Sequence, residues 1–237
     1  MESSAVDRFS SSKSPYLLTP SPRDHYSTPA QWAAGNRPEV ALHLVSRGAE
    51  PDIFLLVAAL DRNRISQFLT DHREALLERI SIERFPPPAE HPDIRCIYFF
   101  TPSMGPNATP LHVAAVKNSV EIVDLLIAAG LGVDTRGGHD DATPLHLAAW
   151  NGSIQSAKRL LEQGAGIDAR SGRLHNNTPL GWAIVSGSVA SVKFLLEQGA
   201  TIHDYHPSEA AGSVAGHFRE YSQASIEDWK TIQDLVS

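Results

Sequence analysis

The sequence is poor in the features on which several classes of protein depend. It has a single cysteine, Cys96, among 237 residues, so no internal disulfide can form, and one thiol fits a reducing compartment. No apolar run approaches the length of about 18 residues that a membrane-spanning helix needs. Residues 1–14 are polar and rich in serine, unlike the apolar core of a signal peptide. We therefore expect a cytoplasmic protein.

Positive charge is also scarce. The chain carries 20 Lys and Arg residues against 27 Asp and Glu residues, which gives a formal net charge of −7. A surface of this sign repels nucleic-acid phosphates and anionic lipid headgroups. We therefore expect neither nucleic acid nor membrane as the main partner, and a neutral or basic protein is easier to accommodate. The sequence does not address the oligomeric state, so a monomer is the default expectation.

The common signatures of catalysis are missing too. There is no glycine-rich phosphate loop after a strand, no Gly-x-Ser-x-Gly elbow and no Cys-x-x-Cys pair. We predict no cofactor, no metal and no catalytic residue. One alternative stays open, because three successive turns of the pattern described next carry imidazole and carboxylate groups, which can bind a metal or transfer protons. These groups are His139, Asp140, Asp141, His175, His203, Asp204 and His206.

What the sequence does have is a repeated unit. Copies begin with Thr-Pro-Leu at Thr109, Thr143 and Thr178, spaced 34 and then 35 residues apart. Threonine is a good helix N-cap and proline fits the first helical turn, so each copy predicts a helix start. Asn118, Gly152 and Gly187 tolerate the left-handed conformation that ends a first helix. A second helix should follow in each copy and end at Gly130, Gly164 and Gly199.

Two copies carry a longer signature, Thr-Pro-Leu-His-x-Ala, at residues 109–114 and 143–148. This pattern resembles the ankyrin repeat family. The resemblance implies an all-α solenoid of stacked helix-turn-helix units joined by β-turn or finger loops, with about five repeats and a C-terminal helical cap. It extends over roughly residues 28–204. The first copy, from Thr28-Pro29, is degenerate, and the second has no Thr-Pro start.

These patterns divide the chain into five segments. The prolines of Pro86-Pro87-Pro88 forbid a helix and interrupt the repeats, and apolar positions near the C-terminus suggest helices that cover the last repeat. The segments are a flexible Ser/Pro-rich tail (1–27), degenerate N-terminal repeats (28–77), a Pro-rich and aromatic insert (78–108), three clear repeats with the following turn (109–207) and a helical cap (208–237).

The resemblance also implies a function, since proteins similar to ankyrin repeats bind a partner segment on their concave face. We therefore predict a protein–protein interaction module, an adaptor or scaffold. Trp150 should be its centre, exposed between Val116 and Val185 in an apolar stripe; alternatively, Trp150 folds onto its own helix or under a turn. Trp32 and Trp182 are expected in the core. The predicted partner-binding residues are Trp150, His139, Asp140, His175, Asn177, Val116, Lys117, Asn151 and Val185.

A second hypothesis concerns the insert. Tyr98, Phe99 and Phe100 would cover the groove and create a closed, partly apolar cavity, which is what an atypical small-molecule binder or enzyme needs. The competing interpretation is that residues 97–100 only pack the weak second repeat against the third. The sequence leaves the two open.

Overall fold

The computed structural model of the chain describes residues 25–90, 95–96, 98, 105–172, 178–202 and 224–236. Several sequence predictions fall outside these residues. They are the tail before residue 25, the proposed contacts His175 and Asn177, the proposed cover residues Phe99 and Phe100, and the first part of the predicted cap, residues 208–223.

Eleven α-helices occur in the described part of the chain, and the first ten form five consecutive pairs. The pairs are α1 (Pro29–Asn36) with α2 (Pro38–Ser46), α3 (Ile53–Ala58) with α4 (Arg62–Asp71), α5 (Pro110–Val116) with α6 (Val120–Ala128), α7 (Pro144–Trp150) with α8 (Ile154–Glu162), and α9 (Pro179–Ser186) with α10 (Val189–Glu197). The last helix is α11 (Ile226–Val236). None of these helices is long and apolar enough to cross a lipid bilayer. The result is an all-α repeat fold.

The helices lie in two layers. The first helices of the pairs contact one another in the order α1, α3, α5, α7, α9, and the second helices in the order α4, α6, α8, α10. Short 3₁₀ helices at Arg73–Leu77 and His139–Asp141 lie in the connections. Strands β1 (His25–Tyr26) and β2 (Arg95–Cys96) pair in parallel, and β1 lies within the segment predicted to be a flexible tail (1–27).

Helix starts and ends follow the predicted chemistry. Thr28, Thr109, Thr143 and Thr178 are the N-caps of α1, α5, α7 and α9, each followed by proline. Asn118, Gly152 and Gly187 have φ values of 55°, 70° and 75°, which is the left-handed conformation that ends a helix. Gly130, Gly164 and Gly199 also have positive φ. The local signals in the clear copies were therefore sufficient to place both helices of each pair.

The second pair reaches the same geometry with different residues. Asp52 takes the place of the missing Thr-Pro, and its Oδ1 accepts a hydrogen bond from the Leu55 backbone N–H at 2.8 Å. An aspartate oxygen satisfies the first free N–H groups of a helix as well as a threonine oxygen does. All six residues of α3 are buried, so this degenerate unit is fully part of the core.

Apolar side chains between the two layers form the core. One cluster runs from Ala30 in α1 to Ala165 after α8. A second joins α9 and α10 to α11, where Trp229, Ile232 and Val236 are 7%, 1% and 4% exposed. The expectation that Trp32 belongs to the core was wrong, because its side chain is 39% exposed.

The segment between the second and third pairs begins and ends as an ordinary turn does. The Ile80 N–H donates to the Ala108 carbonyl at 3.1 Å, and the Asn107 N–H donates to the Ile80 carbonyl at 2.8 Å. One repeat later, the Gly137 N–H donates to the Ala142 carbonyl at 3.0 Å. The four residues 138–141 between these positions correspond to 27 residues, 81–107, which we call the extended finger.

Arginines link the turns in series. The Arg79 guanidinium donates to the Arg136 carbonyl oxygen, and the Arg136 guanidinium donates to the Arg170 carbonyl oxygen. Arg79 and Arg136 therefore hold equivalent positions although 57 residues separate them. The extended finger lengthens one turn without changing how the turn is joined to the next.

Candidate functional site

The core lies between the two helix layers, and a small group of apolar side chains lies outside it. It contains Ala142, Leu147 and Trp182, with Val116 and Trp150 packed against it; we call these five residues the indole cluster. In α7, Leu145 and Ala148 face the main core, while Leu147 and Trp150 share another face at helical spacing. The indole cluster therefore covers the side of the first-helix layer that faces away from the second helices.

Two indole rings form the centre of this cluster. Trp150 is half-buried, and its ring centroid lies 5.7 Å from that of Trp182 at an interplanar angle of 74°. The His146 ring contacts Trp182 in a similar edge-to-face geometry at 5.4 Å. Edge-to-face pairs at these distances are favourable beyond the area they bury. Trp150 thus rests on the ring of the next repeat.

The predicted apolar stripe is only partly present. Val116 is half-buried and packs on the indole cluster with Trp150. Val185 is 7% exposed, so it offers almost no surface to a partner, and its predicted exposure was wrong. The accessible apolar surface is accordingly centred on Trp150 and Val116.

Lys117 is used inside the protein. Its ammonium group donates a hydrogen bond to the Gly35 carbonyl at 2.9 Å, which brings it to the C-terminal end of α1. A cation is stabilised there by the carbonyl groups that have no partner within the helix. Burial lowers the pKa of Lys117 below the ordinary value of lysine. The side chain therefore fastens the third pair to the first.

The remaining predicted contacts differ in their surroundings. Asn151 is exposed, and its amide donates to the Leu147 carbonyl at 2.8 Å. Asp140 accepts a hydrogen bond from the Ser171 hydroxyl at 3.1 Å. His139 lies in the 3₁₀ turn next to Asp140, but its side chain is outside the described set. Asp140 is therefore engaged with the following turn.

The two signature histidines serve the scaffold. Nδ1 of His112 accepts from the Thr109 N–H at 3.2 Å, and Nε2 lies 3.1 Å from the Ala142 carbonyl, so the proton of the neutral ring is on Nε2. His146 contacts Thr143 in the same way. Burial lowers the pKa of His112 to about 4. The histidine of one repeat thereby holds the start of the next one.

Comparison with known families agrees with this geometry. Residues 89–171 match the model described as ankyrin repeats in three copies, and residues 175–204 match the model of a single ankyrin repeat. These residues are ankyrin repeats. No curated protein matches the chain. Ankyrin repeats generally mediate protein–protein interaction, so the indole cluster lies on a fold whose usual task is to bind other proteins.

The ankyrin match begins at residue 89, inside the extended finger, where Tyr98 turns inward. Tyr98 is 1% exposed, and its ring packs between Phe54 of α3 and Phe85. Its hydroxyl donates to the Asp52 carboxylate at 3.1 Å. Tyr98 is thus in the core beside the second pair.

Asp52 is the point at which three segments meet. Besides Tyr98, its carboxylate accepts from the Gln31 amide at 2.9 Å and from the Leu55 N–H. Burial raises the pKa of Asp52, while these hydrogen bonds and the positive charge of Arg84 act in the opposite direction. One buried carboxylate therefore joins the first pair, the second pair and the extended finger.

A cleft of about 600 Å³ lies elsewhere, between the second pair and the start of the extended finger. Leu56 and Phe68 are among its apolar residues, and its charged residues include Glu50, Arg64 and Arg84. Arg84 forms an ion pair with Glu78 at 2.8 Å. Neither Trp150 nor Tyr98 lines this cleft, so it is separate from the indole cluster.

The described residues contain no candidate metal site, because no group of three or more His, Cys, Asp or Glu side chains among them is close enough to hold an ion. Four of the candidate residues, His175, His203, Asp204 and His206, lie outside that set. The sequence reasoning also missed three residues of the site, Leu147, Trp182 and Ser171. Helical spacing could have identified the first two, because each follows a core leucine by two positions and so faces the opposite side.

Proposed function

We propose that this chain is a non-catalytic adaptor that binds a segment of another protein on the concave face of its ankyrin repeats. In this proposal the five helix pairs form one solenoid of five repeats, the extended finger is an insertion into it, and α11 closes the C-terminal end. The cytoplasmic location expected from the single cysteine and the exclusion of nucleic acid expected from the net charge belong to the same proposal.

One observation carries it. The indole cluster is apolar and separate from the core, and it presents a half-buried tryptophan. Tryptophan is among the residues that contribute most to binding energy at protein interfaces, and such residues lie in small packed groups surrounded by polar neighbours. Trp150 has polar neighbours of this kind in Asn151 and the turn that contains Asp140. The placement of Tyr98 in the core favours the adaptor over the covered-groove alternative.

The binding test uses random peptides because the partner is unidentified. Peptides selected from a displayed library on the full chain are synthesised, and their affinities are measured by biolayer interferometry. Trp150→Ala should weaken binding by at least about 30-fold, which corresponds to the loss of a hot-spot residue. Ile226→Ala is the matched control, because it removes an exposed apolar side chain from α11. Equal affinity for Trp150→Ala and wild type would refute the site.

A further inference from the structure

The indole N–H of Trp182 forms a hydrogen bond to a residue outside its own helix. The ring is 9% exposed, and its Nε1–H donates to the Ser171 hydroxyl oxygen at 3.2 Å. Ser171, 5% exposed, in turn donates its hydroxyl proton to Oδ2 of Asp140 at 3.1 Å. Three residues from α9, from the turn after α8 and from the turn before α7 thus form a continuous hydrogen-bonded chain.

The backbone fixes this chain at its outer end. The Gly172 N–H donates to the Asp140 carbonyl at 2.5 Å. A Cβ on Gly172 would lie 2.7 Å from that oxygen, so only glycine allows the approach. Asp140 itself has a φ of 57°, a conformation that aspartate tolerates better than most residues. The two turns are therefore held in contact by the backbone bond, which keeps the Asp140 carboxylate within reach of the Ser171 hydroxyl.

Trp182 in turn restricts the orientation of Trp150 at the proposed binding surface. Its ring is fixed by Ser171 at the N–H and by His146 at one side, and Trp150 packs edge-to-face against it. An indole that stands on a fixed ring has fewer orientations than one on an open helix surface. A side chain ordered before binding loses less conformational entropy when the partner arrives.

We propose that Asp140, Ser171 and Trp182 are positioning residues that hold the Trp150 indole in the orientation in which the partner meets it. This inference rests on the proposed function of Trp150 as the anchor of the site. It changes the role of Asp140, which acts through Ser171 and Trp182 instead of contacting the partner. The turn that contains Asp140 and the surface at Trp150 then form one unit.

The first arm of the test needs no partner. Ser171→Ala removes both hydrogen bonds of the chain, so the indole N–H signals of Trp150 and Trp182 should both shift in ¹⁵N NMR spectra, and the exciton couplet of the two rings in circular dichroism should weaken. Ser171→Thr keeps the hydroxyl and should restore both signals. Ser46→Ala is the control, since that exposed serine bonds the His43 carbonyl of its own helix, away from the indole cluster.

Two results of the spectroscopic arm would contradict the proposal. An unchanged Trp150 signal and an unchanged couplet in Ser171→Ala overturn the positioning role. Should Ser171→Ala fail to fold, Asp140→Asn replaces it, because asparagine tolerates the left-handed backbone and keeps one acceptor oxygen. It should produce a smaller shift of both indole signals, and the absence of any shift again overturns the proposal.

The second arm measures affinity for the selected peptides. Ser171→Ala should weaken their binding by about three- to tenfold, the entropic cost of ordering one side chain when the partner binds. Unchanged affinity for a peptide that does require Trp150 overturns the positioning role. Failure to select any peptide, or peptides that ignore Trp150→Ala, counts against the proposed function alone, while the spectroscopic arm still decides how Trp150 is held.

Discussion

Gly137 lies where the root of the extended finger touches the next turn, and we expect Gly137→Ala to destabilise the protein. A Cβ there would lie directly against the Asn107 carbonyl oxygen, 2.8 Å from its carbonyl carbon and 3.2 Å from the Ala108 Cα. All three are backbone atoms and cannot rotate aside. They are also tied to Ile80 by two hydrogen bonds, so relief of the clash requires the root of the finger to open.

The size of the effect follows from these contacts. Forcing extra volume into a packed site costs about 1–3 kcal/mol, and losing one hydrogen bond at the root adds about 0.5–1.5 kcal/mol. The expected loss of unfolding free energy is therefore about 1.5–4.5 kcal/mol. Gly132→Ala supplies the matched control, because its Cβ would meet nothing within 4 Å and alanine reduces the entropy of the unfolded chain. That variant should be stabilised by about 0.4–1 kcal/mol.

Urea denaturation followed by circular dichroism compares the two variants. Because repeat proteins can unfold in parts, hydrogen exchange of the Ile80, Asn107 and Gly137 amides should be measured alongside. Faster exchange at these three amides is expected in Gly137→Ala alone. Equal denaturation midpoints for Gly137→Ala and Gly132→Ala would refute the steric reasoning.

Three further perturbations test other contacts. The pKa of His112 is lowered in the folded state, so the unfolded chain binds a proton that the folded chain does not. The free energy of unfolding should therefore fall by about 3 kcal/mol as the pH drops from 6.5 to about 4. Urea titrations at several pH values should show that this contribution is absent in His112→Gln. Tyr98→Phe keeps the ring but removes a donor from the buried Asp52 carboxylate, so it should cost about 1–3 kcal/mol and speed proteolysis of the extended finger. Trp229→Ala should cost about 3–5 kcal/mol in thermal unfolding because it empties a core position; a loss below 1 kcal/mol would mean that α11 contributes little.

The helices of the clear copies could be predicted because their limits depend on local chemistry. In these copies threonine followed by proline favours a helix start through its own cap and backbone geometry, and Asn118 or Gly187 ends a helix by its own backbone preference. The all-α repeat fold follows from three such copies at one spacing. The start of α3 could not be predicted in this way, because Asp52 supplies the cap without the threonine and proline that mark the other copies.

The candidate site was harder to predict because exposure depends on neighbouring repeats. Trp32 and Trp182 occupy the same position in their copies, yet their side chains are 39% and 9% exposed. Trp182 has the turn of the preceding repeat beside it, including Ser171, while no helix pair precedes Trp32 in the described residues. Sequence position within a repeat therefore fixes which way a side chain points, and the adjacent copy decides whether it is covered.

The backbone bonding at the root of the extended finger accepts connections of very different length. Ile80 and Ala108 close a 27-residue connection with the same backbone bonding that closes a four-residue one between Gly137 and Ala142. Lengthening a flexible loop by this ratio costs only about 1.7 kcal/mol of closure entropy. This turn is therefore an insertion point at which the length of the connection can change while the backbone bonding of the turn stays the same. Sequence changes are constrained where finger side chains such as Tyr98 pack on the helices, so new surface features fit best at finger positions outside those contacts.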